Sequence, residues 1–282
     1  MNSVPLPSGT LIPSLGLGTW RMGESRGARA AEVAAVRSAI EIGYRLFDTA
    51  EMYGEGGAEE ILGQAIAEAL RAGDVRRDEL FIVSKVYPHN ASRRGTAAAC
   101  DRSRKRLGLD RIDLYLLHWR GEHALADTVA ALHALQQSGH VGAWGVSNFD
   151  VDEMQELSAV APDCAVNQVY FSLGQRGPAF SLLPWLRNAA IPLMAYSPID
   201  QGSLAQHKAL AAIAAALGLT AAQLALAWVL AQAGVVAIPK AVKPQHLRDN
   251  FAAAGVRLSA DVLQQLDALF PPPRRKTALA MT

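Results

Sequence analysis

The sequence predicts a closed (β/α)8 barrel, in which eight parallel strands alternate with helices. Short apolar runs alternate with helical patterns along most of the chain, which is typical of βα units around a parallel sheet. The runs are almost continuously apolar, as expected for strands covered on both faces. The eight runs are Leu15–Trp20, Leu46–Ala50, Leu80–Val86, Leu114–Trp119, Val141–Asn148, Ala165–Tyr170, Pro192–Ser197 and Gly234–Lys240.

A doubly wound sheet is the main alternative to the barrel. It would usually have fewer strands and a phosphate-binding Gly-rich turn after the first one. The 282 residues allow one large α/β domain or two small ones, and the 50% hydrophobic content is ample for a large core. Eight βα units within about 250 residues favour the barrel. We therefore expect one domain over residues 1–282.

The ends of the chain predict additions to the barrel. Val4–Ile12, with Ser8 and Gly9 at its centre, has the pattern of a hairpin that plugs the amino-terminal end of the barrel. Ser259–Leu269 predicts a helix after the eighth unit.

The segments between the runs carry helix signals. Val33, Val36 and Ile40 share one helical face, and Asp150 with Glu153 predicts a capped helix start. A second apolar stripe is formed by Ile61, Leu62, Ala65, Ile66 and Ala69. Glycines that can end helices are Gly43, Gly108 and Gly139.

One long uncharged segment, Ala209–Pro239, could be mistaken for a membrane span by its length. Its internal signals argue against that. Gly218 can close one helix, Thr220 and Gln223 form a capping box for the next, and Gly234 precedes an apolar strand. Two buried helices and a strand fit this pattern better.

The charge balance and the cysteine count of the chain limit the partners and the cellular compartment that we expect. Charge is nearly balanced, with 27 Lys+Arg against 26 Asp+Glu, so no overall field favours nucleic acid or an anionic membrane. Cys100 and Cys164 are too few for a disulfide framework, which fits a reducing compartment. The first residues lack the pattern of a cleaved export signal. We expect a cytoplasmic protein, a monomer or weak homo-oligomer, that acts on a small molecule.

Nearly every run ends in a polar or otherwise distinctive residue. These residues are Thr19, Asp48, Lys85, His118, Asn148, Gln168, Tyr196 with Ser197, and Lys240. Taken singly, such a lysine is most often solvated and such a histidine is most often a hydrogen-bonded core residue. In a barrel, however, the carboxyl ends of the strands converge on one mouth, where active sites lie. Burying Asp48 and Lys85 without mutual pairing would cost several kcal/mol each.

A phenol at Tyr53, close after the second run, completes a group that can donate a proton to a carbonyl. With Asp48, Lys85 and His118 it supplies a carboxylate, an ammonium and an imidazole, with no metal cluster or serine or cysteine nucleophile beside them. The chain is therefore expected to reduce carbonyls.

These residues lie in motifs that resemble the aldo-keto reductase family along the whole chain. The motifs are Gly16-Leu-Gly-Thr-Trp20, Gly43-Tyr-Arg-Leu-Phe-Asp-Thr-Ala50 followed by Tyr53-Gly54, Ser84-Lys85-Val86, Asp113-Leu-Tyr-Leu-Leu-His-Trp119, Gly145-Val-Ser-Asn-Phe149, Asn167-Gln168, Ala195-Tyr-Ser-Pro198 and Ile238-Pro-Lys240. The resemblance places the catalytic tetrad of that family on Asp48, Tyr53, Lys85 and His118.

The resemblance also implies NADPH or NADP⁺ as cofactor. Ser147, Asn148 and Gln168 would hold the nicotinamide carboxamide and Tyr196 would stack on the ring. The pyrophosphate would lie beneath residues 197–204 and the 2′-phosphate near residues 240–250, where Lys240, Lys243, His246 and Arg248 gather positive charge. The implied cofactor-binding residues are Gly18, Thr19, Trp20, Asp48, Ser147, Asn148, Gln168, Tyr196, Ser197, Pro198, Ile199, Gln201, Ser203, Leu204, Lys240, Ala241, Val242, His246, Asp249 and Asn250.

Three departures bear on specificity. His246 stands where the family often has an arginine for the 2′-phosphate, and Ala241 replaces a frequent serine. Arg120 stands where proline commonly follows His-Trp. It could hold a substrate anion, face solvent, or pair with an acid such as Glu122. The expected substrate-binding residues are Trp20, Tyr53, Tyr87, His118, Trp119 and Arg120.

Elementary electrostatics gives an expectation for Tyr53. A free phenol has a pKa of about 10. An ammonium about 4 Å away at an effective dielectric of roughly 20 favours phenolate by around 4 kcal/mol, or about three pKa units. Asp48 opposes part of this effect. We therefore expect a lowered pKa for Tyr53, by less than the full amount. If His118 is neutral, it can donate a hydrogen bond to the substrate oxygen and orient the carbonyl.

Three alternatives stay open at this level. A non-catalytic nicotinamide-binding subunit would keep the cofactor residues. A Schiff-base aldolase could use Lys85 as its nucleophile in the same barrel. A metal-dependent hydrolase is the weakest alternative, because the seven histidines show no ligand-like clustering at strand ends.

Overall fold

Eight parallel strands form one sheet in the computed structural model, which describes residues 2–281. Each strand pairs with its neighbours in chain order. The barrel strands are β3 (Leu17–Gly18), β4 (Leu46–Asp48), β5 (Phe81–Val86), β6 (Ile112–Leu117), β7 (Val141–Ser147), β8 (Asn167–Tyr170), β9 (Leu193–Tyr196) and β10 (Val235–Ala237), after a hairpin of β1 (Ser3–Pro5) and β2 (Leu11–Pro13).

Ten α-helices lie among the described residues. They are α1 (Arg29–Ile42), α2 (Gly57–Ala72), α3 (Arg93–Leu107), α4 (Leu125–Gln137), α5 (Val151–Val160), α6 (Leu182–Asn188), α7 (Lys208–Ala216), α8 (Ala221–Leu230), α9 (Pro244–Ala253) and α10 (Ala260–Leu269). One helix follows each strand from β3 to β8, and two helices, α7 and α8, connect β9 to β10.

The first and eighth barrel strands meet and close the sheet. Leu15 bridges Ala237 and Gly18 bridges Lys240, both in parallel. The backbone N–H of Gly16 donates to the carbonyl of Ala237 at 2.9 Å. All eight predicted runs overlap a strand, so the predicted (β/α)8 barrel is confirmed. Closure leaves no open edge in the sheet.

The hairpin closes the amino-terminal end of the barrel. Val4 pairs with Ile12 across it, and both side chains are buried. They belong to one apolar cluster with barrel residues that include Leu46, Leu114 and Val236. The hairpin therefore packs against the apolar interior and plugs the amino-terminal end of the barrel, as predicted.

The predicted helix boundaries follow the expected capping chemistry. Asp150 with Glu153 and Thr220 with Gln223 form capping boxes at the starts of α5 and α8. Gly43 ends α1 with a φ of 116°, a left-handed conformation that favours glycine. Ser259 caps α10, so the helix begins at Ala260, one residue after its predicted start at Ser259.

The uncharged segment 209–239 forms most of α7, then α8 and β10. Gly218 lies between the helices with a φ of 68°. Between residues 2 and 281 no single helix is long and apolar enough to cross a membrane. The pair α7 and α8 meets the length and composition criteria together, but the two helices are bent by 80° at their break.

A buried ion pair joins the second and third helices to the sheet. Glu59, in the first turn of α2, is fully buried. Its carboxylate accepts hydrogen bonds of 2.6 Å from Ser84 Oγ on β5 and from Arg106 Nε on α3. Because an uncompensated buried charge is costly, these contacts fix how α2 and α3 pack behind the site.

Removing the arginine tests this packing. We expect Arg106→Met to lower the free energy of unfolding by about 3 kcal/mol, because Glu59 would keep its charge and lose its cationic partner. Arg76→Met is the matched control: Arg76 is 73% exposed and pairs with the exposed Asp78, so a loss below about 1 kcal/mol is expected. Urea unfolding measures both variants. Equal losses would contradict the role assigned to Glu59.

Candidate active site

Four polar side chains converge at the carboxyl end of the barrel. Asp48 is the last residue of β4, Lys85 lies near the end of β5, and His118 follows β6 directly. Tyr53 begins a short 3-10 turn between β4 and α2. The parallel sheet directs all of these strand ends to one mouth, so residues up to 70 positions apart in sequence lie together.

Lys85 is the most constrained member of the group. Its side chain is fully buried, and Nζ donates to Asp48 Oδ2 at 2.7 Å, to the Thr49 carbonyl at 2.8 Å and to Tyr53 Oη at 3.3 Å. An ammonium has three protons to donate, so these three contacts use all of them. Lys85 is thus held behind Tyr53.

Tyr53 is placed by a tight backbone turn. Gly54 adopts a φ of 57°, and a Cβ at that position would lie 2.8 Å from the carbonyl oxygen of Met22. Only glycine allows that approach without displacement of the neighbouring backbone. The Tyr53 side chain lines a large cavity. Because Lys85 donates to the phenol oxygen, the phenol hydrogen is free to point into this cavity.

Burial dominates the electrostatics of the three groups. Burial raises the pKa of Asp48, although Lys85 and Gln168 oppose the shift. Burial lowers the pKa of Lys85, and Asp48 opposes that change. The pKa of Tyr53 is raised well above its usual value by burial and then by the Asp48 carboxylate. The expectation of a lowered Tyr53 pKa was wrong, because it counted the ammonium and underestimated desolvation.

His118 is a neutral imidazole in this environment. Burial, and then the positive charge of Lys85, lower its pKa well below the usual value. Its ring meets the Tyr53 ring edge-on, with centroids 5.7 Å apart. Nδ1 of His118 is buried and has no hydrogen-bond partner within residues 2–281. The sequence left the protonation state of His118 open, and burial favours the neutral form.

A wall of amide groups borders the tetrad. Gln168 Nε2 donates to Asp48 Oδ1 at 2.7 Å. Asn148, with a φ of 61°, donates through Nδ2 to the His118 carbonyl and to Ser147 Oγ, both at 3.1 Å, and accepts from Tyr196 Oη at 2.8 Å. These contacts fix the orientation of the Asn148 and Gln168 side chains relative to the four convergent residues.

The cavity has a volume of about 580 Å³ and extends from the barrel mouth to the starts of α8 and α9. Most residues predicted to bind cofactor line it: Gly18, Trp20, Asp48, Asn148, Gln168, Tyr196, Ser197, Pro198, Ile199, Gln201, Lys240, His246, Asp249 and Asn250. The others, Thr19, Ser147, Ser203, Leu204, Ala241 and Val242, lie outside its lining. Thr19 instead donates through Oγ1 to the Asp48 carbonyl at 3.0 Å, and Leu204 and Ala241 are buried.

Sequence reasoning missed several lining residues. Arg21 stacks on Trp20 with its guanidinium carbon 4.5 Å from the ring centroid. Met52 precedes Tyr53, and its place beside a predicted catalytic residue was a usable signal. Thr220 and Met281 also line the cavity, although nothing in their local sequence indicated it.

The predicted substrate residues divide between two cavities. Trp20, Tyr53, His118 and Trp119 line the main one, as predicted. Tyr87 and Arg120 line a second cavity of about 670 Å³, and Trp119 borders both. Arg120 Nη2 pairs with Glu156 on α5 at 2.9 Å, not with Glu122.

The motifs within this geometry match a known family. The model of the Aldo/keto reductase family matches residues 14–270, which contain the whole tetrad. The chain belongs to this family. The resemblance stated from the motifs is therefore confirmed, and the protein is an oxidoreductase of the aldo-keto reductase type.

Individual relatives cover nearly all of this aldo-keto reductase. The chain is 45% identical over 277 residues to methylglyoxal reductase YeaE of Escherichia coli, covering 96% of this chain and 95% of that protein. It is 38% identical to the glyoxal reductase of Bacillus subtilis, covering 95% and 92%. Its structure is similar to that of an aldo-keto reductase from Klebsiella pneumoniae in complex with NADPH, with a TM-score of 0.94, 45% identity and coverage of 100% and 99%.

The neutral state of His118 has a consequence for stability. Its folded pKa is lowered, so on acidification the unfolded chain takes up a proton first, at about pH 6.5. The contribution to stability is therefore present above that pH and is lost as pH falls. From about pH 7.5 to 5.5 we expect a loss of about 1 kcal/mol that His118→Phe lacks, measured by urea unfolding. Parallel pH profiles for the two proteins would contradict the buried neutral imidazole.

Proposed function

We propose that the protein reduces small aldehydes and ketones to alcohols with NADPH, using Tyr53 as the general acid. One observation carries this proposal: a fully buried lysine donates to the oxygen of a phenol that faces a large cavity, beside a neutral imidazole. A proton donor, Tyr53, and a hydrogen-bond donor, His118, thus line the same cavity. That arrangement suits protonation of a carbonyl oxygen.

The chemistry of the cavity suits a nicotinamide dinucleotide phosphate. Aromatic and amide side chains, Tyr196, Asn148 and Gln168, border the end near Tyr53, where a planar ring with a carboxamide would lie. The basic side chains of Lys240 and His246 border the other end, where phosphate groups would lie. The bound nicotinamide supplies the hydride, which no side chain here can provide.

Each tetrad residue has a distinct task in this proposal. Tyr53 transfers its phenol proton to the substrate oxygen as the carbonyl carbon receives the hydride. Lys85 stabilises the phenolate that remains through its contact with Oη. Asp48 holds that ammonium in place, and neutral His118 donates a hydrogen bond that orients the carbonyl.

The other functions considered from the sequence are less favoured. For a Schiff-base aldolase, Lys85 would have to reach substrate, but Nζ is fully engaged by Asp48, Thr49 and Tyr53, and the residue lies outside the cavity lining. For a hydrolase, no group of three or more His, Cys, Asp or Glu within residues 2–281 is arranged to hold a metal ion. A non-catalytic subunit would not need the assembled tetrad.

The relatives suggest the substrate class. Two of them are named for methylglyoxal and glyoxal, which are small dicarbonyl compounds. We extend this preference to the present protein, since Trp20 and Trp119 give the mouth an apolar wall suited to small carbonyls. A role for Arg120 in holding anionic substrates stays a prediction. Its Nη2 is taken by Glu156, whereas Nη1 is buried without a partner within residues 2–281.

The remaining parts of the proposal concern cellular context. Cys100 and Cys164 are both buried and unpaired, which fits a reducing cytoplasm. The balanced charge supports a protein without a nucleic-acid or membrane partner, and we propose a monomer or weak homo-oligomer.

Removing the phenol hydroxyl tests the general acid. We expect Tyr53→Phe to lower kcat for methylglyoxal reduction by at least about 10²-fold, because the proton donor is lost while the ring remains. NADPH consumption at 340 nm gives the rate. The dissociation constant of NADPH, from tryptophan fluorescence, should stay within about twofold of wild type, since the hydroxyl bonds to Lys85.

Tyr87→Phe is the matched control, because Tyr87 lines the second cavity and offers no proton near Lys85. Its turnover of methylglyoxal should stay near that of wild type. Near-normal turnover of Tyr53→Phe would overturn the assignment of Tyr53. Failure of the wild-type protein to reduce any aldehyde or ketone would overturn the proposed function.

A further inference from the structure

His246 occupies the far end of the main cavity from the tetrad. It is the third residue of α9, which begins at Pro244 after the eighth barrel strand. Its side chain lines the cavity with those of Lys240 and Asn250. His246 and Lys240 are both exposed, and neither forms an ion pair with any residue between 2 and 281.

The surroundings of His246 fit an anionic group. Helix α9 begins at Pro244, which has no backbone N–H, so Gln245 and His246 carry the first N–H groups of the helix, which lack intrahelical acceptors. Phosphate sites in (β/α)8 barrels often combine the loop after the last strands with a helix start. Lys240 supplies a fixed positive charge at the same point. The start of α9, the loop after β10 and the charge of Lys240 thus lie at the same end of the cavity.

The two ends of the cavity also decide which phosphate lies here. Under the proposed function the nicotinamide lies beside Tyr53 inside the barrel. The adenosine half must then extend outward to α8 and α9, where Thr220, Ala222 and Asn250 line the cavity. NADPH differs from NADH only by a 2′-phosphate on that half. The group that contacts this phosphate therefore sets the choice between the two cofactors.

We propose that His246 makes the preference for NADPH over NADH proton-linked, strong when its imidazole is charged and weaker when it is neutral. An imidazole in water titrates near pH 6.5, and a neighbouring phosphate dianion favours its charged form. An arginine in the same place would keep its charge at every physiological pH. This inference rests on the proposed function.

The other charged groups near His246 do not replace this dependence. Lys240, in the loop after β10, and Lys243 and Arg248, which flank His246 in the sequence, add positive charge that does not depend on the imidazole. Asp249, one turn along α9, also lines the cavity and adds a negative charge there. Helix α8 contributes no charged residue. On α1, Arg29 pairs with α2, and Arg37 pairs with α2 and with Asp74. Glu32 accepts a hydrogen bond from the backbone N–H of Gly23. Glu41 lies near the end of α1 that contacts Phe251 of α9.

Binding of the oxidised cofactors tests the proposal without turnover. Dissociation constants of NADP⁺ and NAD⁺ are measured by calorimetry from pH 6.0 to 8.5 at one low ionic strength. We expect the ratio Kd(NAD⁺)/Kd(NADP⁺) to fall about tenfold in wild type as pH rises. The change should lie in NADP⁺ alone, because NAD⁺ lacks the phosphate.

Two substitutions at one position separate the titration of the imidazole from that of the ligand. The 2′-phosphate of the free cofactor titrates near pH 6, and this titration is the same in the measurements on every variant. His246→Arg should keep a high ratio up to pH 8.5, and His246→Gln should show a low ratio throughout. The pair 2′-AMP and 5′-AMP should repeat the pattern without the nicotinamide half. Lys208→Gln, an exposed change at the start of α7, is the control and should behave as wild type.

The outcomes distinguish this inference from the proposed function. A wild-type ratio that follows that of His246→Arg at every pH would overturn the inference, as would a His246→Gln ratio equal to wild type at pH 6.0. In either case carbonyl reduction by NADPH would still stand. If neither dinucleotide binds, or no carbonyl is reduced, the proposed function fails and the inference fails with it.

Discussion

The buried contact between Lys85 and Asp48 is the constraint on which the candidate site depends. Both side chains are almost completely removed from solvent, and neither could remain charged there alone without a penalty of several kcal/mol. Their pairing at 2.7 Å fixes the ammonium, and the ammonium in turn fixes the oxygen of Tyr53. The barrel provides this contact because β4 and β5 are neighbours, with Asp48 opposite Val83 two residues before Lys85.

The same desolvation that makes the pair costly gives the site its chemical character. It keeps His118 neutral and Tyr53 protonated, so that both side chains can donate hydrogen bonds. An exposed phenol and imidazole would exchange protons with water and form weaker electrostatic contacts. Catalytic capacity here follows from burial as much as from residue identity. The neighbouring amides, which hydrogen-bond to Asp48 and to the His118 carbonyl, hold the buried groups in register.

The sequence predicted the barrel, its hairpin plug and the convergence of the tetrad, because strand ends in a parallel barrel meet at one mouth whatever the loop lengths. It could not predict contacts that depend on how helices and loops finally pack. Arg120 pairs with Glu156, 36 residues away on α5, and not with the nearby Glu122. The sign of the Tyr53 pKa shift was also wrong, since the depth of burial, which decides the balance between desolvation and the ammonium, cannot be read from motif spacing.

The two ends of the main cavity differ in their exposure to solvent. At the barrel mouth the ionisable groups are dry, their pKa values are displaced from the usual range, and bulk pH has little access to them. Near the start of α9 the basic side chains of Lys240 and His246 are exposed to solvent and its ions. Screening therefore weakens contacts at the outer end far more than at the inner end. The cavity therefore combines an inner end shielded from solvent with an exposed outer end, which α8 and α9 form outside the barrel.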